Sequence, residues 1–122
     1  MSTADKHVTT NATVRALAVV ETERNRQFDL LAAGKFPDYW KDGVPDFHRL
    51  AVLAEEFGEV AKEACEILHN DTKQWPGEEA PMVFAHKERV RKRLKGLLRN
   101  ELVQVAAVCV AWIESLDSEV GQ

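Results

Sequence analysis

At 122 residues, 45% of them hydrophobic, the chain is sized for one domain with a modest core. A formal net charge of -4 gives no overall attraction to nucleic acid or to an anionic membrane, so neither is expected as a partner. No apolar run approaches the ~20 residues that span a bilayer, and the polar start Met1 to Lys6 lacks the apolar core of a secretion signal; a cytoplasmic protein is expected.

The chain shows helical periodicity in three segments and no sustained strand-like alternation, which predicts an all-α fold in a single domain over 1–122. The first helix is expected from about Asn11 to Ala33, with Val14, Leu17, Ala18, Phe28, Leu31 and Ala32 turned inward and a polar middle from Glu21 to Gln27. Gly34 and Pro37 end it. The loop that follows carries Phe36, Tyr39, Trp40 and Gly43, an aromatic content suited to covering a pocket or the end of a bundle. A second helix is expected from Asp46, whose side chain can cap free backbone N–H groups, to about Asn70. A Trp75-Pro76-Gly77 loop then leads to a long helix from about Ala85 to Leu116, opening with Lys87, Arg89, Arg91, Lys92, Arg93, Lys95 and Arg99. Cys65 and Cys109 sit in separate helical patterns among aliphatic residues, which predicts small buried reduced thiols rather than a disulfide or a zinc cluster.

Two acidic features stand out. On a wheel of about 100° per residue, Glu55, Glu56 and Glu59 share one face of the second helix with Val52, Glu63 and Glu66, while Leu50, Leu53, Phe57, Val60 and Ala64 gather on the other. On the last helix, Glu101 lies within the stripe of Val90, Leu94, Leu97, Leu98, Val105, Val108 and Trp112. A carboxylate pointed at a core must meet a paired cation, good donors or a metal, or take up a proton. A paired Arg is the structural solution. The functional one brings Glu101 against Glu56 and Glu59 around a hard divalent ion such as Mg²⁺, with Mn²⁺ as a substitute. Metal-bearing carboxylates beside a basic segment, in which Lys95 and Arg99 stand nearest Glu101, suit a polyphosphate substrate.

These residues resemble the MazG-like members of the all-α nucleoside triphosphate pyrophosphohydrolases, whose motif is E-E-x-x-E on one helix and E-x-x-D on a later one. The first half stands as Glu55-Glu56-Phe57-Gly58-Glu59, the second as Glu101-Leu102-Val103-Gln104 ahead of the apolar run Val105 to Ile113. The likeness covers roughly Asp46 to Leu116, and Glu23-Arg24-Asn25-Arg26-Gln27 is similar to the polar first-helix segment of phage and bacterial members. It implies a helical bundle, of four-helix type, whose active site is completed by dimerisation or in a tetramer. It also implies Mg²⁺-dependent hydrolysis of a (d)NTP to (d)NMP and pyrophosphate. By position, Glu56, Glu59 and Glu101 would be metal ligands, and Glu55 would bind a further metal or orient and deprotonate the attacking water. Gln27 and Trp40 would contribute to substrate recognition with Arg99 and Lys95. Gln104 departs from the motif: its amide oxygen can coordinate, but a negative charge is lost and Mg²⁺ should bind more weakly.

Two other readings compete. A di-iron carboxylate site would use Glu66-Ile67-Leu68-His69, but such sites need two Glu-x-x-His motifs. A helical interaction module with a degenerate metal site would leave the acidic and basic faces to pair between subunits.

Overall fold

The computed structural model describes residues 10–35 and 44–120, which form α1 (Asn11–Ala32), α2 (Asp46–Thr72) and α3 (Pro81–Glu119), with no strand among them. The all-α expectation is met. Phe36, Tyr39, Trp40 and Gly43, expected to cover a pocket or the bundle end, lie outside the described residues.

Local chemistry sets the helix ends. The Thr10 side chain accepts from the Thr13 backbone N–H at the head of α1. At its tail Gly34 adopts a φ of 69°, the left-handed conformation that lets Lys35 N–H return to the Leu30 carbonyl at 2.8 Å. α2 begins at Asp46 as expected, but its cap is Pro45 and no side chain caps it. The Asp46 carboxylate instead accepts from Trp112 Nε1 at 2.8 Å, tying the start of α2 to the end of α3. α3 begins four residues earlier than its apolar pattern suggested, at Pro81, because the first turn has no use for the N–H that proline lacks. Between α2 and α3, Trp75 Nε1 donates to the Asn70 carbonyl at 3.2 Å, its ring meets His86 edge-on, and Gly77 turns the chain at φ 72°.

α3 is the spine. α2 folds back along it antiparallel, with Asp46 near Trp112 at one end and Arg91 Nε 3.2 Å from Asp71 at the other. α1 runs alongside α3 in the same direction, Ala16 lying near Arg99 and Arg24 reaching Glu114 at 2.9 Å. By length and composition alone α3 could cross a bilayer, contrary to the expectation that no stretch approaches that length. Its apolar residues are also the surface that carries α1 and α2: Val103 meets α1, and Leu94 meets the end of α2.

The largest departure from the sequence reading is which faces turn inward. On α2 the inward line is Arg49, Glu56, Glu63 and Asn70, polar residues repeating every seven positions, flanked by Leu53, Val60 and Ile67 at the same interval. Leu50 and Phe57, expected in the core, are 51% and 63% exposed, and Ala64 is exposed with them. On α1 the buried residue is Gln27, while Val14, Leu17, Ala18, Phe28 and Ala32, all expected inside, are exposed. Among the described residues the buried apolar core is correspondingly small: Ile67, Leu94, Ala107, Val108 and Ala111. Cys65 shares the outward face of α2 and is exposed rather than buried; Cys109 is half-buried, and both are free thiols.

Leu50, Ala54, Phe57, Ala61, Ala64 and Leu68 thus form an exposed apolar stripe along α2. Their spacing of four and three residues is that of a coiled-coil seam. A stripe of this length on one helix is far more apolar surface than scattered exposed aliphatics explain.

Candidate acidic site between the three helices

The inward polar face of α2 meets α3 at Glu56 and Glu101, both half-buried. Burial first, then the charges of Glu101, Glu55, Glu59 and Glu23, raise the Glu56 carboxyl above its ordinary range. Those charges put Glu101 of α3 and Glu23 of α1 within electrostatic reach of Glu56. Glu55 and Glu59 stand exposed at its edge.

Glu23 is the residue the motif reading passed over. Its side chain is only 10% exposed, and Arg26 holds it in a two-pronged ion pair, Nε to Oε1 at 2.8 Å and Nη2 to Oε2 at 2.6 Å. Arg26 is the main reason its carboxyl sits below the ordinary range, against burial, with the nearby amides of Gln104 and Gln27 lowering it further. The signal was present in the polar segment Glu23 to Gln27, which has no reason to interrupt an otherwise apolar helix unless something polar faces it.

Gln104, the departure from the motif, is half-buried and lies close enough to Glu23 to help hold that carboxyl low. Gln27 is 3% exposed and accepts from Arg24 Nη1 at 2.6 Å; Arg24 in turn reaches Glu114 and lies 4.4 Å from the Phe28 ring centre. Gln27 therefore stands behind the site as a brace, not at its surface as the substrate contact expected of it. Arg99 lies on the α1 side of α3, beside Leu102 and Val103, and Lys95 is exposed. Trp40 lies outside the described residues.

A cavity of about 330 Å³ opens between α1 and α3 next to the acids. Thr22, Glu23 and Arg26 face it from α1, Asn100 and Gln104 from α3, with Val19 and Val103 as its apolar wall.

The donor set is all oxygen, which fits a hard divalent ion. Among the described residues, however, no three carboxylate, histidine or cysteine side chains approach closely enough to hold one unaided. Glu56, Glu59 and Glu101, expected as metal ligands in a site completed by a second copy, do not form such a group by themselves. The di-iron alternative fares no better, since His69 is an exposed residue of the last turn of α2, away from the acidic cluster. Comparison with protein-family profiles, with characterised proteins and with solved structures finds no match to this chain.

Proposed function

We propose that this chain is a Mg²⁺-dependent, MazG-like nucleoside triphosphate pyrophosphohydrolase of the cytoplasm, converting a (d)NTP to (d)NMP and pyrophosphate. The observation that carries the reading is the convergence of Glu23, Glu56 and Glu101 from three helices, with Glu55 and Glu59 beside them, at a carboxyl held above its ordinary range by burial and like charge. Like charges gathered at a half-buried point are destabilising on their own, and a cation relieves them.

Mg²⁺ characteristically binds through one or two carboxylates and completes its octahedron with water and substrate phosphates, so a closed protein cage is not required. Bound there, the ion would neutralise phosphate charge and acidify a water. Glu56 and Glu101 would hold the ion, Glu59 would add a ligand from the next turn of α2, and Glu55 would orient the attacking water and accept its proton. Gln104 would supply an amide oxygen or a water-mediated contact, and, with the Glu23 charge already paired to Arg26, the substrate would supply the negative charge that the motif loses at position 104. Lys95 and Arg99 would take phosphate charge, and Trp40 would contribute to substrate recognition.

The exposed stripe from Leu50 to Leu68 supports a homodimer or a pair of dimers, in which the second copy completes a four-helix bundle and closes the site. The neutral Gln104 and the loose ligand set favour one competing reading, a helical interaction module with a degenerate metal site. Pyrophosphate release from a panel of ordinary and altered (d)NTPs, with Mg²⁺ or Mn²⁺, separates the two. Metal-dependent release that Glu56→Ala abolishes is the expected result; silence across the panel at high metal assigns the chain to the interaction module.

A further inference from the structure

The cavity between α1 and α3 differs in kind from the acidic cluster it adjoins. Its one cation, Arg26, is cancelled by Glu23 through three hydrogen bonds, and its remaining polar groups are the neutral side chains of Thr22, Asn100 and Gln104. A net-neutral lining offers no attraction to phosphate, and the Glu23 carboxylate repels it. What it offers is a dense set of neutral donors and acceptors. Asn100 and Gln104 stand one helical turn apart on the same face of α3, each with an amide oxygen and an amide N–H₂. The Asn100 side chain makes no hydrogen bond among the described residues. The Thr22 hydroxyl donates to the Ala18 carbonyl at 3.0 Å, which leaves its oxygen free to accept. Behind these groups, Val19 and Val103 give an apolar wall against which a flat ring can lie.

We infer that this cavity holds the nucleobase of the substrate, with Asn100 as its principal reader, Gln104 and Thr22 as supporting contacts, and the Arg26–Glu23 pair as a fixed neutral rim. The inference rests on the nucleotide reading above and adds to it the part of the molecule that reads the base. Side-chain carboxamides match the adjacent donor and acceptor on a base edge, and a volume of about 330 Å³ lies within the range of small-molecule sites. Glu23 borders both the cavity and the acids around Glu56, so a nucleotide with its base in the cavity lies with its phosphates toward Glu56 and Glu101.

Two probes test the two halves separately. The four ribonucleosides, titrated calorimetrically without metal, report on the cavity alone; inorganic tripolyphosphate with Mg²⁺ reports on the acidic end alone. Asn100→Leu, at an exposed position where it should not disturb folding, is expected to weaken the best-bound nucleoside about five- to tenfold while tripolyphosphate binding is unchanged. Thr22→Val gives a second variant, expected to weaken the nucleoside by a smaller factor, and thermal melts verify that both are folded. Nucleoside binding that is absent, or that neither substitution alters, overturns the base site whatever the tripolyphosphate does. Failure of Mg²⁺-tripolyphosphate to bind, with nucleoside binding intact and sensitive to Asn100→Leu, overturns the hydrolase reading and leaves a nucleoside-binding cavity standing.

Discussion

Gln104 on α3 faces the Glu23 carboxylate on α1 across one cavity and helps hold that carboxyl below its ordinary range, joining the neutral position of the acidic motif to a carboxylate from outside it. Changing Gln104 to Asp removes that amide and sets a second negative charge against Glu23. Without divalent metal the variant should be less stable by about 1 kcal/mol or more, since a favourable amide–carboxylate interaction is lost and a repulsion gained. With Mg²⁺ the order should reverse, because the added carboxylate supplies the charge that the motif lacks. Thermal melts of both proteins across a Mg²⁺ titration check this. Unchanged Mg²⁺ affinity in Gln104→Asp would show that position 104 does not face the ion.

Glu56 and Glu23 give opposite pH dependences. The Glu56 carboxyl, raised by burial and then by Glu101, Glu55, Glu59 and Glu23, binds its proton more tightly in the fold than in the unfolded chain. Its contribution therefore favours the fold on acidification and is lost as pH rises through the raised value. Glu23, held low chiefly by Arg26, contributes stability present above the ordinary Glu range and lost as pH falls through its depressed value. Glu56→Gln should raise the metal-free Tm near neutrality and show no gain in acid, whereas Glu23→Gln should lower it near neutrality. Melts from about pH 4 to about pH 8 read both effects.

Metal linkage distinguishes an active site from a buried structural acid. Mg²⁺ should raise the Tm of the native chain and should fail to do so in Glu101→Ala. If Glu101→Ala is simply more stable, with no response to metal in either protein, Glu101 is a charge that the helix pair tolerates rather than uses.

Arg24 holds α1 to α3 through Glu114, and its Nη1 is the hydrogen-bond donor to the buried Gln27 oxygen. Arg24→Ala should cost about 1–3 kcal/mol, mostly from stranding Gln27 and losing the packing on Phe28 rather than from the exposed ion pair. Arg24→Lys should recover only part, since a single ammonium cannot serve Gln27 and Glu114 with the same fork. Denaturant melts of the two variants measure the difference.

The stripe along α2 predicts self-association. Phe57→Glu places a charge in the middle of Leu50, Ala54, Ala61, Ala64 and Leu68, and should convert the assembled protein to monomer while leaving its helix content intact. Light scattering and circular dichroism at micromolar concentration check both parts. A native chain found as monomer there would rule out a site shared between subunits.

The sequence by itself determined the three helices, the Gly34 stop and the start at Asp46, because helical period and local backbone chemistry are written in neighbouring residues; the approach of Glu56 to Glu101 it offered only as an alternative to a paired Arg. It did not determine which side of α1 and α2 faces α3. Each helix carries an apolar stripe and a polar one, and the ordinary preference turns the apolar stripe inward. That preference fails when the apolar stripe is left exposed, as it is from Leu50 to Leu68, and the polar stripe meets acids, amides and arginines on neighbouring helices. Only the tertiary structure decided that Glu23 would stand beside Gln104, that Gln27 would brace Arg24 and that Asn100 would open onto a cavity. Those relationships depend on how two helices are rotated against a third, a geometry that no single helix encodes.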